Sequence, residues 1–137
     1  MSETIVVGFD GSEASKKALA WAAIQAKVTG ASLVAVNSWG PIYPVGVDPE
    51  KSVRRELMKE LARVLGSDRA EEVRLVLSPD APGHLLVHEA SRAQLLVVGS
   101  HGHGHGVLAS TVLGSVSEYC VRHAKCPVAV VRAADRS

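Results

Sequence analysis

Residues 95–117 read LLVVGSHGHGHGVLASTVLGSVS, and this stretch joins an apolar run to a glycine-rich loop and then to a second pair of small residues. The run Leu95–Val98 predicts a buried strand, because it is apolar throughout and stops abruptly at a glycine. A helix is predicted to begin after Gly114, since Ser115 and Glu118 have the spacing of a capping box. The stretch is therefore interpreted as a strand, a loop and a helix in direct succession.

The loop in this stretch has the chemistry of an anion site. Its glycines, at positions 99, 102, 104 and 106, let the backbone approach a ligand closely and turn successive N–H groups towards it. The unpaired N–H groups and positive dipole end of the following helix face the same place. The sequence thus predicts a bound phosphate, with a plain glycine turn as the alternative. The P-loop pattern GxxxxGK[ST] and the dinucleotide pattern GxGxxG are both absent.

The rest of the chain alternates between strand-like and helix-like segments. Apolar or β-branched runs predict strands, and apolar residues at helical spacing between turn residues predict helices. The alternation predicts an α/β fold built on an open, five-stranded parallel sheet with right-handed crossovers and helices on both faces, which is a Rossmann-like arrangement. The predicted strands are Thr4–Gly8, Ala31–Asn37, Val73–Leu77, Leu95–Val98 and Val128–Val131.

The first predicted helix follows the turn after the first strand and ends at Gly30. Either Asp10 or Ser12 is expected to accept hydrogen bonds from its first free N–H groups. Its core-facing stripe is predicted from helical spacing to comprise Ala14, Ala18, Trp21, Ala22 and Gln25.

Three further helices are predicted. The second has Asp48 as its N-cap and Pro49 at its first position, and it ends at Gly66. Its apolar face is predicted to consist of Val53, Leu57, Leu61 and Val64. The other two helices are predicted to run from within Ser78–Gly83 to about Arg92, and from Ser115 to about His123.

Length, charge and composition limit the classes of protein. A chain of 137 residues fits one domain, and 15 Lys and Arg against 14 Asp and Glu leave a formal charge of +1 with no run of either sign. This balance argues against a nucleic-acid partner. Because 47% of the residues are apolar and only 4% aromatic, the core is expected to be aliphatic, as in helices packed on a parallel sheet.

The compartment is predicted from the cysteines and the apolar segments. Cys120 and Cys126 are expected to be buried or partly buried thiols in a reducing compartment, since no CxxC motif marks a reactive pair. The first residues do not resemble a signal peptide, and no apolar run approaches the length of a membrane span. We therefore expect a cytoplasmic protein with no membrane partner.

Three segments together resemble the universal stress protein family: VVGFDGS near the start, LLVVGSHG, and LGSVSEYCVRHAKCPVAVVR. Nucleotide-binding members of that family carry GxxG, nine residues, and then G[ST]. In this chain eleven residues separate Gly102 from Gly114, which we interpret as a two-residue His-Gly insertion in the phosphate loop. The resemblance implies strand order 3-2-1-4-5, binding of ATP or another adenine nucleotide, a role in stress response, and a homodimer formed through the last strand, Val128–Val131.

The resemblance also implies a set of nucleotide contacts. Asp10 is expected to bond the adenine or ribose, or to hold Mg²⁺ against phosphate, and the alternative is a turn residue that only caps the first helix. Positions implied to border the base are Gly8, Phe9, Ser38, Val98 and Gly99. Positions implied to lie near the phosphates are His101, Gly102, Gly104, Gly114, Ser115 and Val116.

The histidines and the charges near the glycine loop bear on alternative functions. His101, His103 and His105 form either a metal-binding tract or solvated loop histidines, and His84 with His88 lacks the Glu of a zinc protease motif. No Lys or Arg accompanies the glycine loop, so any phosphoryl transfer is expected to be slow. A slow Mg²⁺-dependent ATPase or phosphotransferase and a dimeric stress module without nucleotide are the alternatives to a regulatory nucleotide-binding protein.

Overall fold

The computed structural model describes residues 3–40, 46, 49–101 and 113–133, and it confirms the predicted α/β fold. Five parallel strands form one sheet in the order β3-β2-β1-β4-β5. The strands are β1 (Thr4–Gly8), β2 (Ser32–Ser38), β3 (Arg74–Ser78), β4 (Leu95–Gly99) and β5 (Val128–Val131). The helices are α1 (Glu13–Thr29), α2 (Glu50–Leu65), α3 (Ser67–Ala70), α4 (Pro82–Glu89) and α5 (Ser115–His123).

The helices cover the two faces of the sheet in separate groups. Side chains alternate along each strand, so that Ile5 and Val7 face one core while Val6 faces the other. The first core packs against α1 and α2, and the second packs against α4 and α5. The central strands are buried on both faces, which is why they read as continuous apolar runs in the sequence.

Helix α1 has its predicted bounds, but the prediction of its core-facing residues was partly wrong. Ser12 is the N-cap, its side chain accepting from the Ser15 N–H, and Gly30 ends the helix with φ of 75°. Trp21 is 37% exposed and does not belong to the buried face. Seven small or aliphatic residues form that face: Ala14, Ser15, Ala18, Leu19, Ala22, Ala23 and Ala26. The side chains are small because α1 lies close to the sheet.

The other helices differ from prediction at their ends. Helix α2 begins at Glu50, one residue later than predicted, with Pro49 as the residue before it; Asp48 lies outside the described residues. The short helix α3 was not predicted, and α4 ends at Glu89, before the predicted Arg92. At α5 the capping box is absent, because Gly114 is the N-cap and no side chain caps the helix. Ser115 is the first helical residue instead.

The end of β4 meets the start of α1 at one glycine. A Cβ atom at Gly99 would lie 2.7 Å from the Ala14 Cβ and 2.8 Å from the Ala14 carbonyl carbon. Such distances are too short for any side chain. The nearest atoms are the Ala14 Cβ, which is fixed to the α1 backbone, and backbone atoms of Ala14 and Ser15, and none of these can move aside cheaply. The absence of a side chain at Gly99 therefore allows the N-terminus of α1 to sit against the end of β4.

We predict that Gly99→Ala lowers the free energy of unfolding by about 1–3 kcal/mol, as overpacking does in other cores. Gly8→Ala is the matched control, because its Cβ would meet only side-chain atoms: the Leu86 methyl groups from 3.1 Å, which can turn away, and the Val98 Cγ1 at an ordinary 3.7 Å. Urea denaturation of both variants measures the difference. Equal stability of the two variants would show that the contact between α1 and β4 is looser than described.

Candidate functional site

A cavity of about 180 Å³ lies at the carboxyl ends of β1, β2 and β4. This volume is several times the ~30 Å³ that a water molecule takes up in the liquid, so the cavity has room for an organic group. It lies where β1 and β4 are neighbours, at the point where strand order reverses. Its lining consists of Gly8, Phe9, Asp10, Ser12, Ser15, Val36, Asn37, Ser38, Pro82, Leu85, Leu86, Val98, Gly99, His101, Gly114, Val116 and Ser117.

Three helices direct their N-termini at this cavity. The lining includes Ser12 and Ser15 of α1, Pro82 of α4, and Val116 and Ser117 of α5. A helix N-terminus carries about half a positive elementary charge and unpaired N–H groups. Among the described lining residues none is a Lys or Arg, so the positive potential here comes from the backbone.

The start of α5 offers backbone donors. The first N–H to bond within the helix is that of Glu118, which donates to the Gly114 carbonyl at 2.9 Å. The N–H groups of residues 115, 116 and 117 precede that bond, and no side chain caps them. They are therefore suited to donate hydrogen bonds to a ligand oxygen.

The start of α1 is satisfied by its own side chains. The Asp10 Oδ1 accepts from the Ser12 N–H at 2.9 Å, and the Ser12 hydroxyl oxygen accepts from the Ser15 N–H at 3.2 Å. The Ser15 hydroxyl donates to the Ser12 carbonyl at 2.9 Å. Asp10 thus caps the turn before α1 and also lies in the cavity wall. Its position is compatible both with a structural role in the turn and with contact to a ligand.

The opposite wall of the cavity is mainly apolar. Val36, Leu86 and Val98 are buried side chains that close it from the sheet and from α4. The Asn37 Nδ2 donates to the Phe9 carbonyl at 2.9 Å, which ties the end of β2 to the end of β1. One side of the cavity thus suits a flat, apolar group, and the other suits an anion.

Most of the predicted site residues lie together in this cavity. Nine of them line it: Gly8, Phe9, Asp10, Ser38, Val98, Gly99, His101, Gly114 and Val116. Ser115 is exposed and does not line it. Gly102 and Gly104 lie outside the described residues, as do His103 and His105. Gly114 has φ of −66° and ψ of 164°, which is extended backbone that needs no glycine.

Sequence reasoning missed several lining residues. Leu85, Leu86 and Asn37 belong to segments that the chain brings in from β2 and α4, and no local motif marks them. Ser117 was not predicted, because the capping-box spacing indicated Ser115, two residues earlier. A serine at the third position of a helix, able to reach back to the residue before the helix, is the signal that could have identified Ser117.

The described cysteines and histidines outside the cavity give no reactive thiol and no metal cluster. Burial raises the pKa of the Cys120 thiol to about 11, and burial also raises the pKa of Cys126, so both thiols stay neutral near pH 7. His84 and His88 are exposed. The part of the chain that the structure describes contains no group of three His, Cys, Asp or Glu residues arranged for a metal ion. None of its helices is long and apolar enough to cross a membrane.

Comparison with known proteins gives consistent matches. A universal stress protein of Mycobacterium tuberculosis is 38% identical over 135 residues, which cover 93% of this chain and 45% of the relative. The chain therefore spans slightly less than half the length of that relative. A universal stress protein of Thermus aquaticus is 32% identical over 139 residues, covering 96% of this chain and 100% of the relative.

A solved structure agrees with these relatives. The crystal structure of a universal stress protein in complex with cAMP superposes with a TM-score of 0.68 at 29% identity, covering 96% of this chain and 98% of the other. A sequence model of the universal stress protein family matches residues 1–132. This chain belongs to the universal stress protein family.

Proposed function

We propose that the cavity binds an adenine nucleotide, with ATP as the main candidate, and that occupancy of the site makes the protein a regulator in stress response. The observation that carries the proposal is the cavity's division into an apolar wall and a facing set of uncapped helix N–H groups. A nucleotide has the same division, because its base is flat and largely apolar while its phosphates are anionic.

The base fits the side of the cavity next to the sheet. Val36, Leu86 and Val98 offer apolar contacts to the ring, and Phe9 also lines the cavity. Polar groups at the strand ends, Asp10 and Asn37, are placed to bond the edge of the base or the ribose. A few polar groups in a mainly apolar pocket are typical of small-molecule sites.

The phosphates fit the start of α5. Residues 115–117 contribute backbone N–H groups, and Gly114 and Val116 line the cavity there. His101, which lies beside Ser100 with its Nδ1 3.1 Å from the Ser100 Oγ, is within the same wall. The solved relative that holds cAMP supports an adenine nucleotide as the ligand class.

Two further features of the proposed function concern Mg²⁺ and the oligomer. Asp10 is the only carboxylate among the described lining residues, and Mg²⁺ is commonly held by one or two carboxylates together with nucleotide phosphates. The donor set thus fits an ion carried in with the nucleotide.

Strand β5 lies at the edge of the sheet with its side chains half-buried, which suits pairing with a second copy.

We predict that protein purified without added ligand releases an adenine nucleotide on denaturation, and that Gly114→Val abolishes binding. The extended backbone at Gly114 accepts a β-branched residue, but the side chain would fill the space beside the α5 amides. Chromatography of the supernatant and calorimetric titration with ATP and AMP measure both effects.

Ala124→Val is the matched control for Gly114→Val. Ala124 has φ of −66° and ψ of 147° at the other end of α5, so the same substitution is made in nearly the same backbone conformation, and Ala124 does not line the cavity. We expect this variant to bind as the native protein does. Unchanged binding by Gly114→Val, or no binding by the native protein, would contradict the proposed site.

We predict that Asp10→Asn removes most of the Mg²⁺ dependence of ATP affinity while leaving adenosine affinity unchanged. The amide oxygen of Asn can accept the same hydrogen bond from the Ser12 N–H, while the negative charge is removed. Titrations with and without Mg²⁺ provide the measurement. Phosphate release by the native protein is expected to stay at background; sustained release that Asp10→Asn abolishes would favour the ATPase alternative.

We predict that the native protein is a dimer and that Val130→Pro makes it a monomer. The Val131 carbonyl accepts from the Ser100 N–H, so alternation along β5 turns the Val130 N–H away from β4, towards a partner strand. Proline removes that donor, whereas the control Val130→Thr keeps it. Light scattering after size exclusion measures the mass; a monomeric native protein, or a dimeric proline variant, would contradict the interface.

A further inference from the structure

One buried hydroxyl joins the end of β4 to the start of α5. The Ser117 Oγ lies 3.0 Å from the Ser100 carbonyl oxygen and 3.0 Å from the Gly114 carbonyl oxygen, and it shares its single hydrogen between them. The Gly114 N–H donates to the same Ser100 carbonyl at 2.8 Å. Ser100, Gly114 and Ser117 thus form a closed hydrogen-bond cluster, which we call the Ser117 clamp.

The Ser117 clamp is buried at the anion side of the cavity. Ser117 is 2% exposed and Ser100 is 5% exposed, so water competes little for these hydrogen bonds. Ser117 lies three positions after Gly114 but seventeen positions after Ser100. The bond to Ser100 is therefore a tertiary contact that fixes the first turn of α5 against the strand.

The Ser117 clamp has two physical consequences for an anion at the start of α5. It fixes the direction of the uncapped N–H groups at residues 115–117, so that they need no reorganisation when a ligand binds. It also gives two carbonyl oxygens a further, shared donor beside their backbone donors, which lowers their repulsion of a phosphate nearby. Both effects favour an anion without direct contact between the hydroxyl and the ligand.

We infer that Ser117 is a positioning residue for the phosphate end of the site: its hydroxyl holds the α5 amides in place for the nucleotide phosphate and leaves recognition of the base and ribose unaffected. The inference rests on the proposed function and deepens it. It is independent of the side chains on the apolar wall, because the clamp touches only backbone groups at the β4 and α5 ends.

Ser117→Ala tests the inference, since it removes the hydroxyl and leaves no backbone group in the cluster without a partner. The Ser100 carbonyl keeps the Gly114 N–H, and the Gly114 carbonyl keeps the Glu118 N–H. We expect the variant to fold and to bind AMP about three- to tenfold more weakly, as the loss of one net hydrogen bond predicts. Adenosine affinity is expected to stay within twofold, because adenosine has no phosphate.

Two further variants separate positioning from general stability. Ser117→Thr keeps the hydroxyl and is expected to restore AMP affinity. Ser52→Ala removes a similar bond, from the Ser52 Oγ to the Pro49 carbonyl at 3.0 Å at the start of α2, and is expected to change neither affinity. Equal losses for AMP and adenosine in Ser117→Ala, or no loss for either, would overturn the inference.

Hydrogen exchange distinguishes failure of the clamp from failure of the proposed function. In the unliganded protein, Ser117→Ala is expected to speed exchange of the Gly114 and Glu118 amides about tenfold or more, and an unchanged rate would overturn the clamp whatever the ligand. If the native protein binds neither AMP nor adenosine, the proposed function is wrong. In that case the role of Ser117 in binding is overturned with it, even where exchange shows that the clamp exists.

Discussion

The structure depends on one topological constraint: β1 and β4 are parallel neighbours, but the described helices that follow them pack on opposite faces of the sheet. Helix α1 follows β1 and packs on one core, and the next described helix after β4 is α5, which packs on the other. The starts of the two helices therefore lie apart at the strand ends, and the space between them forms the cavity. Neither a ligand nor a special side chain is needed to create it.

The same constraint brings helix N-termini to one place. In a parallel sheet each helix returns to the amino end of the next strand, so each helix begins near the carboxyl edge. Gly99 tightens this arrangement, since the absence of its side chain lets α1 begin against the end of β4. The Ser117 clamp performs the equivalent task for α5 through hydrogen bonds. A positive potential then arises from backbone dipoles, without Lys or Arg among the described lining residues.

Local patterns in the sequence predicted the strands and the start of α5 well. The continuous apolar runs at β1 and β4 gave strand bounds within a residue, because strands buried on both faces have no polar side to confuse the pattern. The order of strands came from the family resemblance, since periodicity does not determine which strands pair. The wrong predictions concern single positions along a helix. Ser115 was predicted to cap α5, but the N-cap is Gly114, and Trp21 was predicted to face the core from α1, but it is exposed.

The site was predictable only in part for a related reason. Residues next to the glycine turns, such as Asp10 and Gly114, are marked by their neighbours in sequence. Leu86 and Asn37 reach the cavity through tertiary packing, and Ser117 acts on a carbonyl seventeen residues away. No short-range pattern encodes such contacts, because they depend on how α4 and α5 settle on the sheet.

A crystal structure of the protein with AMP bound tests the central claim most directly. The account predicts phosphate oxygens about 2.7–3.2 Å from backbone nitrogens of residues 115–117, with the base against the apolar wall of Val36 and Val98. Phosphate held mainly by Lys or Arg side chains, or a nucleotide bound away from the ends of β1 and β4, would contradict it.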